Sequence, residues 1–304
     1  MKLLLSVIIC THNPRLNYLD KVLKALQAQT LPVEHWELLL VDNASEQVLS
    51  SEIDLSWHPK SRYLREEELG LTHARLRGIK EAIAEILVFV DDDNVLDLDY
   101  LEVALKVSKD FPMLGAWGGQ SIPHFEETPP DWTKPYWWIL AIREFDRDRW
   151  SNLPFSYETS PNGAGMCVRK KVAAKYAESV NNDSKRINLD PKGKKLLRSG
   201  DNDLAFTSFD IGLGTGIFVS LKLIHLIPVS RLQEEYLLRL AEGVAYSNTI
   251  MEYIRGKMPT LPHYSFLRKF IDYYRYQQMD TVSRRFHKAF ARGKNLATQE
   301  ILNG

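Results

Sequence analysis

Asp91-Asp92-Asp93 stands directly behind the apolar run Ile86-Leu87-Val88-Phe89-Val90. Three adjacent carboxylates repel one another, and a cation or a ring of hydrogen-bond donors relieves that penalty. Oxygen ligands at this density suit Mg2+ or Mn2+, ions that take one or two carboxylates together with substrate phosphates. Taken alone, the triplet reads equally as a solvated acidic turn capping a helix. Thr11 and Asp42 close two further apolar runs, where each also suits a helix cap. Trp132, Trp137 and Trp138 offer flat faces that could stack on a sugar ring or a lipid, or simply fill a core.

These residues need a scaffold that brings strand ends together. Leu3 to Cys10, Trp36 to Val41 and Ile86 to Val90 are short apolar runs, with a weaker one around Tyr63-Leu64-Arg65. Between them Leu16, Leu19, Leu23 and Leu26 recur at helical spacing through Gln29, and Gly70 precedes a helix from Thr72 to about Ala84. Strands alternating with amphipathic helices predict an α/β fold with a mostly parallel sheet flanked by helices. In such sheets the carboxyl edge of the strands binds ligands, so the site is expected there.

From Phe111 to Leu153 glycine, proline and tryptophan predict long irregular connections, and Lys185 to Lys195 predicts a charged surface loop. A strand at Met166 to Val168 leads into a helix near Lys171. A helix opens at Ser199-Gly200-Asp201, and a strand runs from Ile217 to His225. The glycines of Gly212-Leu213-Gly214-Thr215-Gly216 precede a strand instead of opening a helix, which excludes a dinucleotide loop. Beyond Pro228 the pattern is helical.

Composition narrows the classes. The 304 residues carry 39 basic and 39 acidic side chains, so the net charge of zero gives no case for nucleic acid as a partner. Cys10 and Cys167 are the two cysteines, which excludes a disulfide framework or a Cys/His zinc site and fits a reducing, cytoplasmic setting. The opening MKLLLSVIIC mimics a signal peptide, but no small-residue cleavage site follows, and it reads as a buried strand. No stretch approaches the roughly 20 apolar residues of a membrane span.

Ser6-Val7-Ile8-Ile9-Cys10-Thr11-His12-Asn13, Val41-Asp42-Asn43-Ala44-Ser45, Gly70-Leu71-Thr72-His73-Ala74-Arg75 and Phe89-Val90-Asp91-Asp92-Asp93 occur in that order. Together they resemble the N-terminal blocks of a family 2 glycosyltransferase with the GT-A fold, and the likeness runs from Leu5 to about Tyr246. The resemblance implies transfer of a sugar from a nucleotide diphosphate donor, usually a UDP-sugar, to a hydroxyl of a glycan or lipid-linked acceptor. It also implies inversion at the anomeric carbon and a divalent metal, Mn2+ or Mg2+. It places Thr11 and Asn13 against the nucleotide, Asp42 against the base, Arg75 in the donor site, Asp91 and Asp92 on the donor side near the ribose, and Asp93 on the metal. The family's Thr-x-Asn-Arg is Thr11-His12-Asn13-Pro14-Arg15 here, with the arginine displaced by one.

Downstream, Ser199-Gly200-Asp201-Asn202-Asp203-Leu204 resembles the family's Gly-Glu-Asp-x-Asp-Leu block, in which the aspartate after glutamate is the general base. Asp201 is therefore the expected base, and Gly200 in place of the glutamate leaves Asp203 as its competitor. Asn162-Gly163-Ala164-Gly165 resembles the loop beside the acceptor, with Trp132 as a further acceptor contact. His225, in His225-Leu226-Ile227-Pro228-Val229-Ser230-Arg231, resembles a stretch of bacterial polysaccharide glycosyltransferases and is expected on the metal or the diphosphate. An ordinary core histidine is the other reading.

The resemblance sets a catalytic domain at 1–248, with a donor half at 1–110 and an acceptor half at 111–248, followed by a helical extension at 249–304. The extension carries excess Lys and Arg and an apolar stripe of Leu267, Phe270, Ile271 and Tyr274, which suits an anionic membrane surface, packing on the catalytic domain, or pairing with a second copy. Absence of membrane helices and of Gln-x-x-Arg-Trp disfavours a processive synthase. A nucleotide-sugar or glycan-binding protein without catalysis is the alternative that Gly200 keeps open.

Overall fold

The computed structural model describes residues 3–190, 196–259 and 266–303, and of 266–269 the backbone only. Four strands, β1 (Leu5–Thr11), β2 (Trp36–Asn43), β3 (Ser61–Glu66) and β4 (Ile86–Asp91), lie in the order β3-β2-β1-β4, all parallel. Their apolar runs are continuous because both faces are covered. Leu5, Val7 and Ile9 of β1 face one core layer, which also holds α1 (Leu16–Gln27), while Ile8 and Cys10 face the other, built on α2 (Leu71–Glu81). Parallel registry brings Thr11 level with Asp42, and Cys10 level with both Val41 and Asp91. The polar strand ends thus share one edge.

A short β5 (Asn94–Leu96) and α3 (Tyr100–Asp110) follow, and then β6 (Leu114–Phe125), a 12-residue strand inside the stretch expected to be irregular. Gly118, Gly119 and Pro123 look like loop residues in sequence, but Gly119 is there for close approach. A Cβ on it would lie 1.8 Å from the Leu221 carbonyl oxygen of the neighbouring strand. Gly119→Ala is therefore expected to destabilise the fold by roughly 1–3 kcal/mol, toward the upper end because the obstacle is backbone. Urea unfolding measures it.

After a 3-10 helix at Asp131–Leu140 and a short β7 (Arg149–Ser151), the chain adds β8 (Cys167–Arg169), α4 (Lys170–Asn182), α5 (Gly200–Asp210) and β9 (Gly214–Ile227). The nine-stranded sheet runs β3-β2-β1-β4-β8-β6-β9-β5, with β7 on β9. β8 is antiparallel to β4 and β6, so the sheet is parallel in its first half and mixed in its second.

Three helices close the described chain: α6 (Glu234–Ile254), α7 (Phe266–Gln278) and α8 (Thr281–Asn303). The boundary expected at 248 falls inside α6, a continuous 21-residue helix that the catalytic part and the extension share. α8 packs on α6 so closely that a Cβ on Gly293 would meet the Glu242 carbonyl oxygen at 2.1 Å. Its Phe286 is buried and stacks on Tyr136. Of the stripe expected on α7, Phe270, Ile271 and Tyr274 are exposed, and Leu267 falls outside the described side chains. Among the described residues no helix is long and apolar enough to cross a membrane.

Candidate active site

Asp91 ends β4 and Asp92 and Asp93 form the turn into β5, so all three acids line a cavity of about 310 Å³ at the sheet's carboxyl edge. Asp93 is the best compensated. Its Oδ2 lies 2.8 Å from the Arg231 guanidinium and 3.4 Å from His225 Nε2, and Asn94 donates to its Oδ1 at 3.0 Å. Burial opposes its charge, but His225 and Arg231 outweigh burial and hold the carboxyl well below the usual range. Asp92 takes the opposite course despite a hydrogen bond from the Thr11 hydroxyl: burial, then the charge of Asp93, push it up to about 7. Burial and Asp93 also raise Asp91. Arg75 pulls Asp91 back and Arg231 pulls Asp92 back, but burial and Asp93 outweigh them.

The opposite wall is built from α2 and the start of α5. Arg75 is buried, and its Nη1 lies 2.8 Å from Asp190 Oδ2, which also accepts from the Thr72 hydroxyl at 2.9 Å. Burial alone would lower the Arg75 pKa, yet Asp190, Asp201 and Asp91 together raise it, so the guanidinium stays charged. Asp201 Oδ2 accepts from the Gly163 amide at 3.0 Å and its Oδ1 from the Asn202 amide at 2.8 Å. Burial raises the Asp201 carboxyl, Arg75 pulls it back, and Asp190 adds to the rise. A Cβ at Gly163 would lie 2.9 Å from Arg75 Nη2 and 3.3 Å from Asp201 Cβ, which is why a glycine stands there.

Asp201 lines a second cavity as well, of about 410 Å³, with Asn162, Trp138, Tyr157, Asn248 and Glu252. Ala141, Arg198 and Asp201 border both cavities. The carboxylate thus stands on the partition between an acid-rich chamber and a polar, aromatic one.

The other residues singled out in the sequence take different places. Asn13 is exposed in the left-handed region (φ 48°), where its Oδ1 takes the Glu46 amide at 2.9 Å. Asp42 is fully buried and does not line the cavity; Tyr63, Arg65 (2.7 Å) and the Ser45 amide (3.1 Å) hold its carboxylate, so it braces the strand-end turn. Arg15 pairs with Glu126 at the surface, away from the cavity. Trp132 packs with Phe286 instead of lining either cavity, and Trp138 is the tryptophan that does. Asp203, the competitor for the base, is fully buried and clamped by Arg186 at 2.6 Å and Arg255 at 2.7 Å, outside both cavities. A carboxylate that lines neither cavity is out of reach of a substrate bound in them, which corrects its candidacy.

Asp190 corrects the surface-loop expectation for 185–195: it is buried at the centre of the site, while 191–195 lie outside the described residues. Its only sequence signal was a charge in a polar stretch. Arg231 was visible in the segment containing His225, and Arg198 lies directly before Ser199.

A parallel sheet with acids at its carboxyl edge, continued by a mixed second half that walls off another cavity, defines the layout of a GT-A glycosyltransferase. The family model "Glycosyl transferase family 2" matches residues 6–168, more than half of the chain, and the chain belongs to that family. It is 31% identical over 102 residues to an uncharacterized glycosyltransferase of Rickettsia felis, covering 33% of this chain and 16% of that protein. It is 32% identical over 100 residues to the glycosyltransferase AglE of Haloferax volcanii, covering 32% of this chain and 33% of AglE. The matches thus span a third or less of these relatives. The fold is similar to crystal structures of S. aureus TarS (TM-score 0.54, 14% identity, 98% of this chain and 55% of that chain). It is also similar to TarS 1–349 in complex with UDP-GlcNAc (TM-score 0.53, 14% identity, 95% and 79%).

Proposed function

We propose that this glycosyltransferase moves a sugar from a UDP-sugar to a hydroxyl of a glycan or lipid-linked acceptor by one displacement with inversion. The observation that carries this reading is Asp201 on the partition between the two cavities. A donor in the acid-rich chamber and an acceptor in the other would meet at this carboxylate, which accepts the hydroxyl proton as the new glycosidic bond forms. Burial and Asp190 strengthen it as a base, and the Gly163 and Asn202 amides fix its orientation. Arg75, Arg198 and Arg231 border the donor chamber and suit a diphosphate. Asn162 and Trp138 lie on the acceptor side. That the similar TarS fragment holds UDP-GlcNAc supports a UDP-sugar as donor.

The donor set fits a divalent ion in part. Among the described residues no three acidic, histidine or cysteine groups converge as a metal cage. Mg2+ and Mn2+ do not need one, since they complete their shells with water and substrate phosphates. Burial and Asp93 raise the carboxyls of Asp91 and Asp92, which an added cation would offset, and His225 Nδ1 is buried without a hydrogen-bond partner. Asp93, with His225 beside it, would hold the ion, which when bound neutralises charge on the departing diphosphate. The exposed Phe270, Tyr273 and Tyr274 on α7 support a peripheral contact with a membrane carrying lipid-linked acceptors.

Titration calorimetry with UDP tests the donor side. Binding strengthened by Mn2+ in the wild type, and insensitive to Mn2+ in Asp93→Ala, is the expected result. No binding with or without Mn2+ removes UDP as the donor nucleotide.

A further inference from the structure

The position before the base is the place where this chain departs from the block it resembles, with Gly200 where a glutamate is usual. Gly200 opens α5 with no positive φ, so the backbone does not require a glycine there. What requires it is space. A Cβ on Gly200 would lie 2.2 Å from Asp190 Oδ2, 2.3 Å from Cγ and 2.4 Å from Oδ1. Asp190 thus sets its carboxylate where a side chain at 200 would begin, and from there it meets Arg75 at 2.8 Å and the Thr72 hydroxyl at 2.9 Å. Arg75 is itself 2.9 Å from the position of a Cβ on Gly163, the residue whose amide holds Asp201.

We propose that Asp190 is a positioning residue that supplies, from a segment ten residues upstream, the carboxylate missing at position 200, and so keeps Arg75 in the donor chamber and off the base. This rests on the reading of Asp201 as the base. Without Asp190, Asp201 is the nearest remaining acid on that wall, and a guanidinium drawn onto it would occupy the oxygen that must take the acceptor proton. The missing glutamate is then a relocation of charge, not a loss of catalysis.

A swap tests this. Asp190→Asn and Asp190→Ala should each lower kcat/KM by about 100-fold, the size expected when reacting groups lose their alignment, with the fall mainly in kcat because Arg75 is retained. Gly200→Glu alone should be as inactive, since its side chain collides with Asp190. The double variant Asp190→Ala/Gly200→Glu should recover at least ten-fold over either single change, a coupling that two independent structural defects would not produce. Melting curves and UDP titration on all four variants establish that each is folded. A folded double variant no better than its parents overturns the proposal, as does Asp190→Asn with wild-type kcat; if Asp190→Ala fails to fold, Asp190→Asn decides. Failure of the base assignment is distinguishable, because it appears as turnover surviving in Asp201→Asn.

Discussion

Asp201→Asn is expected to reduce turnover by roughly 10²–10⁴-fold, the range contributed by a positioned base, and to leave UDP affinity within a few-fold of wild type. Asparagine keeps the shape, and its one oxygen can still accept one of the two amides that hold Asp201, from Gly163 at 3.0 Å or from Asn202 at 2.8 Å. What it loses is the ability to take a proton. Single-turnover transfer assays beside UDP calorimetry separate the two effects. Turnover near the wild-type level would remove Asp201 from the chemistry, and absence of turnover in both proteins under all donors tried would favour a binding protein.

Asp203, two residues along the same helix, should behave in the opposite way. Asp203→Ala leaves Arg186 and Arg255 buried without the carboxylate that both of them grip. Arg255 would keep only the exposed side of its contacts, to Asp210 at 3.2 Å, together with the Asp203 carbonyl and the Thr207 hydroxyl. Breaking a buried ion pair from one side typically costs about 3–5 kcal/mol. Chemical denaturation is expected to show that loss, with whatever protein remains folded still binding UDP. A wild-type midpoint with lost turnover would return Asp203 to the list of bases.

These two residues mark where sequence reading works and where it stops. β1, β2 and β4 were legible because strands covered on both faces are continuously apolar, and their polar ends announced the edge that carries the site. β6 was not, because the feature that lets it pack, a bare Cα at Gly119 against a neighbouring carbonyl, looks in one dimension like a loop. Asp201 and Asp203 were indistinguishable by type and spacing. What separates them is about 200° of rotation around the helix, two residues at about 100° each, toward the cavities or toward Arg186 and Arg255. Asp190 was hidden for a related reason: its partner Arg75 lies 115 residues away, and the segment around it is as polar as any surface loop. Sequence leaves the tryptophans open between stacking on a ligand and filling a core, and only the fold sorts Trp132 against Phe286 and Trp138 onto the wall of the second cavity.

The family match ends at residue 168, while the second cavity draws Arg198, Asp201, Asn202, Val244, Asn248 and Glu252 from beyond it. The last three of these recur every fourth residue on α6, which α8 holds in place through the close approach at Gly293. These positions can therefore vary while the shared half stays under its own constraints. On the proposed reading, proteins grouped by their common first half are sorted by the half that meets the donor and not by the cavity that meets the acceptor. Changes in the shape of that cavity would be recorded in α6, and a comparison restricted to the matched region would miss them.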